Sequence, residues 1–314
     1  MYQAKKLPTS QVKKVIENIN EYMISHPDKR HSKEVMDAYK SKEWENKLIF
    51  FEQLYMKNGE SLHSISGDEY RLDNIVGIKK NTMKNLYKDF LDKNSDTRKE
   101  LYKIFPEACP ICDGPWGYVE SHLDHVLPES VFPQYAITPV NLVRTCGRCN
   151  HKKLVKVGKE KFNQIINPYF KAIDFTDKLS CYIYIKSNEF IANVFLKPIF
   201  ELNIDEQEYK IIQNFLETYQ LLEMYNEVIE INLFSNLINL FMKKAYQKPS
   251  QSELKEILSE QLKCIDIDLI NREKMVTKYF LKYLLLKSLI ENYNEDIYRV
   301  FCEKVENKHT DLFP

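Results

Sequence analysis

Two pairs of cysteines with the spacing Cys-x-x-Cys constrain this 314-residue chain more than any other feature. The pairs are Cys109 with Cys112 and Cys146 with Cys149. Each pair can present two thiolates from one tight turn, and four thiolates form the closed tetrahedral site of a structural zinc. A redox pair or unrelated buried cysteines are the alternative. Residues 106–150 hold six of the 12 prolines, a composition typical of a loop-rich unit that a metal stabilises.

A second set of residues lies between and just after these pairs. Asp124-His125 precedes a loop with a proline at position 128, Asn141-Leu142 follows, and Asn150 comes directly after the last cysteine. In this order the residues resemble the HNH (ββα-metal) nuclease family, in the variant of the phage junction resolvase endonuclease VII. The resemblance covers about residues 105–155, and it is specific as a composite although each fragment alone is weak.

The resemblance implies an active site for phosphodiester hydrolysis. Asp124 and His125 would lie at the end of a strand, and Asn150 would open the following helix. Neutral histidine has a pKa suited to a general base, so His125 is the candidate that deprotonates water. Asp124 and Asn150 offer oxygen ligands to a catalytic Mg²⁺ or Mn²⁺. Asn141 would fix the loop that orients His125, or else be an ordinary turn residue.

The net charge of the chain is zero, but its positive charge is concentrated near the cysteines. The segment from Arg144 to Lys161 contains seven basic residues and one acid. A basic run is usually a solvated face, but one beside a phosphate site favours binding to a nucleic-acid backbone. The predicted nucleic-acid contacts are Arg144, Arg148, His151, Lys152, Lys153 and Lys156. DNA is the expected substrate, with RNA left open.

Four further side chains have alternative interpretations. His151 is a phosphate contact or a surface residue, with a catalytic role as the alternative. His122 lies two residues before Asp124, so in a strand both point to the same face. His122 is therefore interpreted as a further ligand of the catalytic metal, or as a residue that stabilises the fold or contacts DNA. Trp116 and Tyr118 either stack on bases or pack over the zinc knuckle, and packing is favoured.

Hydrophobic residues recur at three- and four-residue spacing along most of the chain, and glycine is scarce, which together favour helices. The predicted fold class is α+β, predominantly α-helical. A central zinc-stapled ββα-metal (HNH) module is expected between helical regions, with a β-hairpin after it. The predicted domains are an N-terminal helical region at 1–105, the HNH nuclease module at 106–170, and a C-terminal hairpin plus helical domain at 171–314.

Particular elements follow from the same patterns. Long helices are expected near Ser32–Lys57, Leu222–Tyr246 and Arg272–Tyr293. Strand-forming residues on either side of Ser187-Asn188 predict a hairpin with strands at Lys178–Lys186 and Glu189–Lys197.

The absence of a signal peptide or a long apolar run in the sequence favours a cytoplasmic protein without a membrane partner. The layout, with a run of Asn167-Pro168-Tyr169-Phe170 after the core, also resembles the HNH component of Septu-like bacterial anti-phage systems. That resemblance implies an ATPase partner protein and a role in defence. The competing hypotheses are a zinc-knuckle nucleic-acid-binding module without cleavage, and an adaptor subunit that is inactive alone.

Overall fold

The computed structural model describes most of the chain, and all statements below concern those residues. They are residues 6–28, 33, 36–37, 42–65, 80–91, 95–105, 108–114, 116, 120–156, 164–175, 177–244, 249–270 and 277–312. By spatial contact the chain forms two compact units, one from residues 1–173 with 205–219 and the other from 174–204 with 220–314. The fold is mostly helical with two small antiparallel sheets, which confirms the predicted α+β class. The predicted boundaries after residues 105 and 170 stay predictions.

The first unit begins with helices whose apolar faces form a shared core. Residues at three- and four-residue spacing on the first helix, from Val12 to Met23, are at most 1% exposed. They pack against the second helix, where Trp44, Leu48 and Tyr55 are fully buried. The elements are α1 (Val12–Ser25), α2 (Glu43–Lys57), α3 (Lys80–Leu86), which continues as a π-helical turn (Tyr87–Leu91), and α4 (Asp96–Ile104).

A strand–loop–strand–helix arrangement follows in the same unit. Its strands pair antiparallel, with Asp124 opposite Val143 and His125 opposite Leu142. The loop between them contains two short 3₁₀ turns, Pro133–Tyr135 and Pro139–Asn141, and most of its side chains are buried. The elements are β1 (Ser121–His125), β2 (Leu142–Cys146) and α5 (Gly147–Lys153), and α6 (Glu206–Tyr219) packs against α5.

The second unit is a hairpin covered by helices. Ser187 and Asn188 have φ of 51° and 63°, as the two central residues of a type I′ turn require. The elements are β3 (Leu179–Lys186), β4 (Glu189–Leu196), α7 (Leu221–Glu227) with a π-helical turn (Val228–Leu233), α8 (Phe234–Lys244), α9 (Gln251–Ile270), α10 (Thr277–Glu291) and α11 (Glu295–Leu312).

Helix side chains cap the outer edges of this hairpin. The amide of Ile183 donates to Ser288 Oγ at 2.9 Å. On the other strand, the amides of Ala192 and Val194 donate to Glu230 Oε1 and Asn226 Oδ1, each at 2.7 Å. An exposed strand edge can pair with other chains, so these contacts protect a sheet of only two strands from edge-to-edge association.

The hairpin lies within one residue of its predicted ends, whereas the long helices differ. The predicted helix Ser32–Lys57 is helical at residues 33, 36 and 37 and again from Glu43, and Lys42, with φ of 52°, interrupts it. The predicted helix Leu222–Tyr246 is interrupted by the π-helical turn at Val228–Leu233. Residues 66–79 and 271–276 lie outside the described residues. No helix in the described ranges is both long enough and apolar enough to cross a bilayer.

Candidate active site and metal centre

The four cysteines of the two pairs come together in the first unit. Their sulfur atoms all lie within 4.8 Å of one another, and all four residues are buried. Cys112 Sγ and Cys146 Sγ are 3.8 Å apart, far beyond the ~2.05 Å of a disulfide. A tetrahedron with metal–sulfur bonds of ~2.3 Å has sulfur–sulfur edges of about 3.8 Å. The cluster can therefore hold a metal ion such as zinc.

A local turn at each cysteine pair orients the sulfur atoms toward the centre of the cluster. Asp113 adopts φ of 55°, and its amide donates to Cys109 O at 2.8 Å, which closes the first turn. In the second, the amide of Cys149 donates to Cys146 Sγ at 3.5 Å. Hydrogen bonds with the other thiols, that of Cys109 foremost, raise the pKa of Cys112 and Cys149 and lower that of Cys146. Four thiolates would therefore need a cation to balance their charge.

Asp124 lies near the end of β1, and its carboxylate contacts a buried lysine. The side chain of Lys153, on α5, is 1% exposed, and its Nζ is 3.2 Å from Asp124 Oδ1. The same ammonium donates to His125 O. Burial raises the pKa of Asp124, and the charge of Lys153 opposes that rise. Lys153 thus joins α5 to the end of β1 directly beside His125.

His125 is held in one orientation by its surroundings. The residue is 8% exposed, and Nε2 donates to Ala136 O at 2.9 Å. The Tyr87 ring stands edge-on, with its centroid 4.4 Å from the imidazole centroid. Burial lowers the pKa of His125 to about 4, so the imidazole is neutral at neutral pH. Because Nε2 carries the proton that it donates, Nδ1 keeps a lone pair that can accept one.

Asn141 fixes the loop that carries Ala136. It is fully buried, and Oδ1 accepts from Leu127 N at 2.8 Å and from Tyr55 Oη at 3.1 Å. Its Nδ2 donates to Leu127 O at 3.0 Å and to Tyr135 O at 3.1 Å. Three of these bonds connect Asn141 to other parts of the loop, and the fourth connects it to α2. The carbonyl next to Tyr135, that of Ala136, is the one that His125 contacts.

The Asn167–Phe170 run packs against the same loop and forms hydrogen bonds with its C-terminal end. Asn167 Nδ2 donates to Tyr55 Oη at 2.9 Å and to Val140 O at 2.8 Å. Tyr169 Oη donates to Leu142 O at 2.8 Å. The run therefore belongs to the packing of the site, and its polar groups meet buried backbone groups that would otherwise be unpaired.

The structure places the predicted nucleic-acid contacts in several environments, and two of them make contacts within the protein. Lys153 does not face solvent: its side chain is buried, and its ammonium donates to Asp124 Oδ1 and to His125 O. Arg144 lies between two rings, 4.6 Å from the Tyr102 centroid and 4.0 Å from the Trp116 centroid. Both positions reflect tertiary contacts that charge counting along the chain does not reveal.

The remaining predicted contacts lie at or near the surface. His151 is exposed, Lys152 and Arg148 are half-buried, and Lys156 is exposed while its Nζ donates to Thr218 O at 3.2 Å. Asn150 is half-buried on α5. The contribution of these residues to binding or catalysis stays a prediction.

Two of the side chains with open alternatives can now be placed. Trp116 packs on Arg144 and donates from Nε1 to Phe105 O at 2.8 Å, in keeping with packing over base stacking. His122 is 39% exposed on β1, and its Nε2 is 3.9 Å from Glu120 Oε2. Tyr118 and the lysines at 159 and 161 lie outside the described residues.

Three contacts of His125 were not anticipated from the sequence. Tyr87 and Ala136 carry no motif signal, and only the folded chain brings them to the imidazole. Glu129 Oε2 lies 3.8 Å from His125 Nε2, and the Glu129 side chain is 20% exposed. Glu129 follows the proline of the motif loop, so a search for acids close to His125 in sequence would have found it.

A phage protein matches part of the chain. Protein ea31 of Escherichia phage lambda is 33% identical over 101 residues, which cover 30% of this chain and 33% of that protein. The chain thus spans about a third of the length of the curated relative that it matches. No family model matches the chain, and no solved structure matches it significantly.

Proposed function

We propose that this chain is a metal-dependent HNH endonuclease that hydrolyses phosphodiester bonds of DNA. The observation that carries the proposal is the neutral charge and fixed orientation of the His125 imidazole at the end of β1. The imidazole is neutral, its Nε2 is engaged by Ala136 O, and it lies next to Asp124. A binding module needs no such arrangement, whereas a general base needs a fixed ring with one free lone pair.

The chemical step assigned to His125 is proton transfer. Nδ1 takes a proton from water as the water oxygen forms a bond to phosphorus. The bond between phosphorus and the 3′ oxygen breaks, and that oxygen takes a proton from solvent. The products carry 5′-phosphate and 3′-hydroxyl ends. Asn141 is a positioning residue here, because its bonds to Leu127 and Tyr135 hold the loop that binds Nε2.

Asp124 and Asn150 are the proposed ligands of a catalytic metal. A carboxylate and an amide oxygen suit Mg²⁺ or Mn²⁺, hard cations that keep several water ligands. A cation bound there would supply positive charge beside the phosphate and the leaving oxygen. Lys153 holds the Asp124 carboxylate in place from α5.

Zinc on the four cysteines is proposed as structural. Four thiolates leave no open position for water, so this site would serve folding. Because Cys146 ends β2 and Cys149 lies on α5, the ion would fix the direction in which α5 leaves the sheet.

A second candidate is a zinc-containing nucleic-acid-binding or adaptor subunit that is inactive alone. The contact between Lys153 and Asp124 favours it, because the ammonium already balances the carboxylate that a catalytic metal would use. In this version, in line with the Septu-like resemblance, an ATPase partner would be required for cleavage during phage defence.

Cleavage assays separate the two candidates. The purified chain would be incubated with plasmid DNA, single-stranded DNA and RNA, with Mg²⁺, Mn²⁺ or EDTA. The nuclease proposal expects metal-dependent cleavage of DNA that His125→Ala abolishes and that the exposed control His151→Ala retains. Absence of cleavage under all conditions, with zinc bound, would favour the binding or adaptor subunit.

A further inference from the structure

Three lysines lie along one face of the helical segment formed by α3 and its π-helical turn. Lys80, Lys84 and Lys88 recur every four residues and are exposed. The other face of the segment is buried, with Met83, Leu86 and Leu91 fully inaccessible to solvent. Burial of the apolar face fixes the direction in which the lysine face points. We call these three residues the lysine row.

The lysine row adjoins the candidate active site. On the same segment, Tyr87 Oη donates to Leu123 O at 2.7 Å, and its ring contacts His125. Lys80 Nζ donates to Ser130 O, in the loop that follows β1. Lys84 Nζ is 3.9 Å from Glu129 Oε1, and the other oxygen of that carboxylate is the one near His125. The Glu129 carboxylate therefore lies between Lys84 of the row and the His125 imidazole.

Among the described residues, Glu129 is an acid that lies close to the row. Asp89, on the same segment, is half-buried. Burial raises the pKa of Glu129, whereas the three lysines, Lys84 most, favour its charged form. One carboxylate balances one ammonium group, and the Lys84 side chain remains 49% exposed.

Two of the basic residues first expected to bind nucleic acid make contacts within the protein. Arg144 is held between Tyr102 and Trp116, and Lys153 is buried against Asp124. A nuclease needs cations that hold the strand on either side of the bond it cuts. The lysine row supplies such cations from the N-terminal helices.

We propose that Lys80, Lys84 and Lys88 bind successive phosphates of the DNA strand whose scissile phosphodiester lies at His125. This rests on the proposed function. Successive lysines are about 6 Å apart along a helix, so the row extends over about 12 Å. One strand of duplex DNA presents a phosphate every ~3.4 Å along the axis, so three lysines can contact a run of neighbouring phosphates.

Binding measured without cleavage tests the row. The full chain would be titrated into fluorescently labelled duplex DNA without added Mg²⁺ or Mn²⁺, over a range of salt concentrations. The variant Lys80→Gln/Lys84→Gln/Lys88→Gln would be compared with Lys13→Gln/Lys14→Gln/Lys57→Gln, which removes three exposed lysines of α1 and α2. For three lost phosphate contacts, the slope of log affinity against log salt should become shallower by about 2.7.

The affinity at low salt should also fall, roughly tenfold to hundredfold, in the row variant alone. Replacing the row by arginines should retain binding, and Glu129→Gln should strengthen it by removing the facing carboxylate. Equal affinities and slopes in the row and control variants would overturn the proposal. Row-dependent binding of RNA, with no binding of DNA, would overturn the assignment to DNA.

The two proposals fail in different ways. A wild-type chain that never cleaves but binds DNA through the row overturns the nuclease and leaves the binding surface. A chain that cleaves DNA with the same salt dependence in both triple variants overturns the row and leaves the nuclease.

Discussion

At the scale of single residues, Asn141 is the polar side chain on which the loop beside His125 depends most. Its replacement by alanine would remove one hydrogen bond each from the Leu127 amide, the Leu127 and Tyr135 carbonyls and the Tyr55 hydroxyl. We expect Asn141→Ala to lower the free energy of unfolding by roughly 2–4 kcal/mol. Urea denaturation measures this, with the exposed Asn81→Ala on α3 as control. Equal losses in both variants would contradict the assigned role.

Glu52 makes stability depend on pH in the first unit. Its Oε1 accepts from the amide of Val12 at 2.9 Å, and burial raises its pKa from 4.5 to about 7. Between these two values the folded state binds more protons than the unfolded state, so the free energy of unfolding falls as pH rises. The contribution of Glu52 changes by at most about 3 kcal/mol across this window.

Glu52→Gln removes this titration and keeps a hydrogen-bond acceptor for Val12. Its free energy of unfolding should therefore fall less than that of the wild type between pH 4.5 and pH 7. Urea denaturation at a series of pH values tests this. Parallel curves for the two proteins would show that the carboxyl group titrates normally.

Among the secondary-structure elements, the turn after α2 packs its backbone directly against the ring of Phe170. A Cβ on Gly59 would lie 2.4 Å from the ring of Phe170, in the run that packs against the loop beside His125. We expect Gly59→Ala to destabilise the protein by about 1–3 kcal/mol, and Phe170→Leu to restore part of the loss. Thermal unfolding measures both.

Gly147 provides the matched control. A Cβ there meets no atom closer than 3.6 Å, so Gly147→Ala should be nearly neutral although it lies between two cysteines of the cluster. A larger loss at Gly147 than at Gly59 would contradict the packing described here.

The β1–β2–α5 arrangement should depend on its metal. We expect about one zinc per chain by elemental analysis, because four thiolates make one closed site. Cys149→Ser should lose the metal and unfold this part of the chain, whereas Cys264→Ser, at an exposed cysteine, should retain it. Equal metal content in the two variants would show that the cluster does not bind zinc.

At the scale of the whole molecule, local patterns could be read from the sequence and long-range contacts could not. The spacing of Cys109, Cys112, Cys146 and Cys149 predicts the cluster, because each pair needs only a local turn. The Ser187-Asn188 turn likewise determines the hairpin. By contrast, the helix interruptions at Lys42 and Val228–Leu233 have no Pro or Gly to mark them.

The candidate site shows the same division. Asp124, His125 and Asn141 were found from a local motif, whereas their partners Lys153, Tyr87 and Tyr55 come from other elements. Charge counting placed Lys153 on a surface because it cannot show which lysine turns inward. The segment 205–219 joins the first unit after an excursion into the second, which no pattern along the chain indicates.

We propose that His125 acts as the general base of a DNA-cleaving site. The most direct test is the single-turnover cleavage rate of His125→Ala in Mg²⁺, with and without added imidazole, at unchanged zinc content. The rate should fall ~100- to 10,000-fold and recover in part with imidazole, which can replace the missing ring. A variant that cleaves DNA at the wild-type rate would contradict the claim.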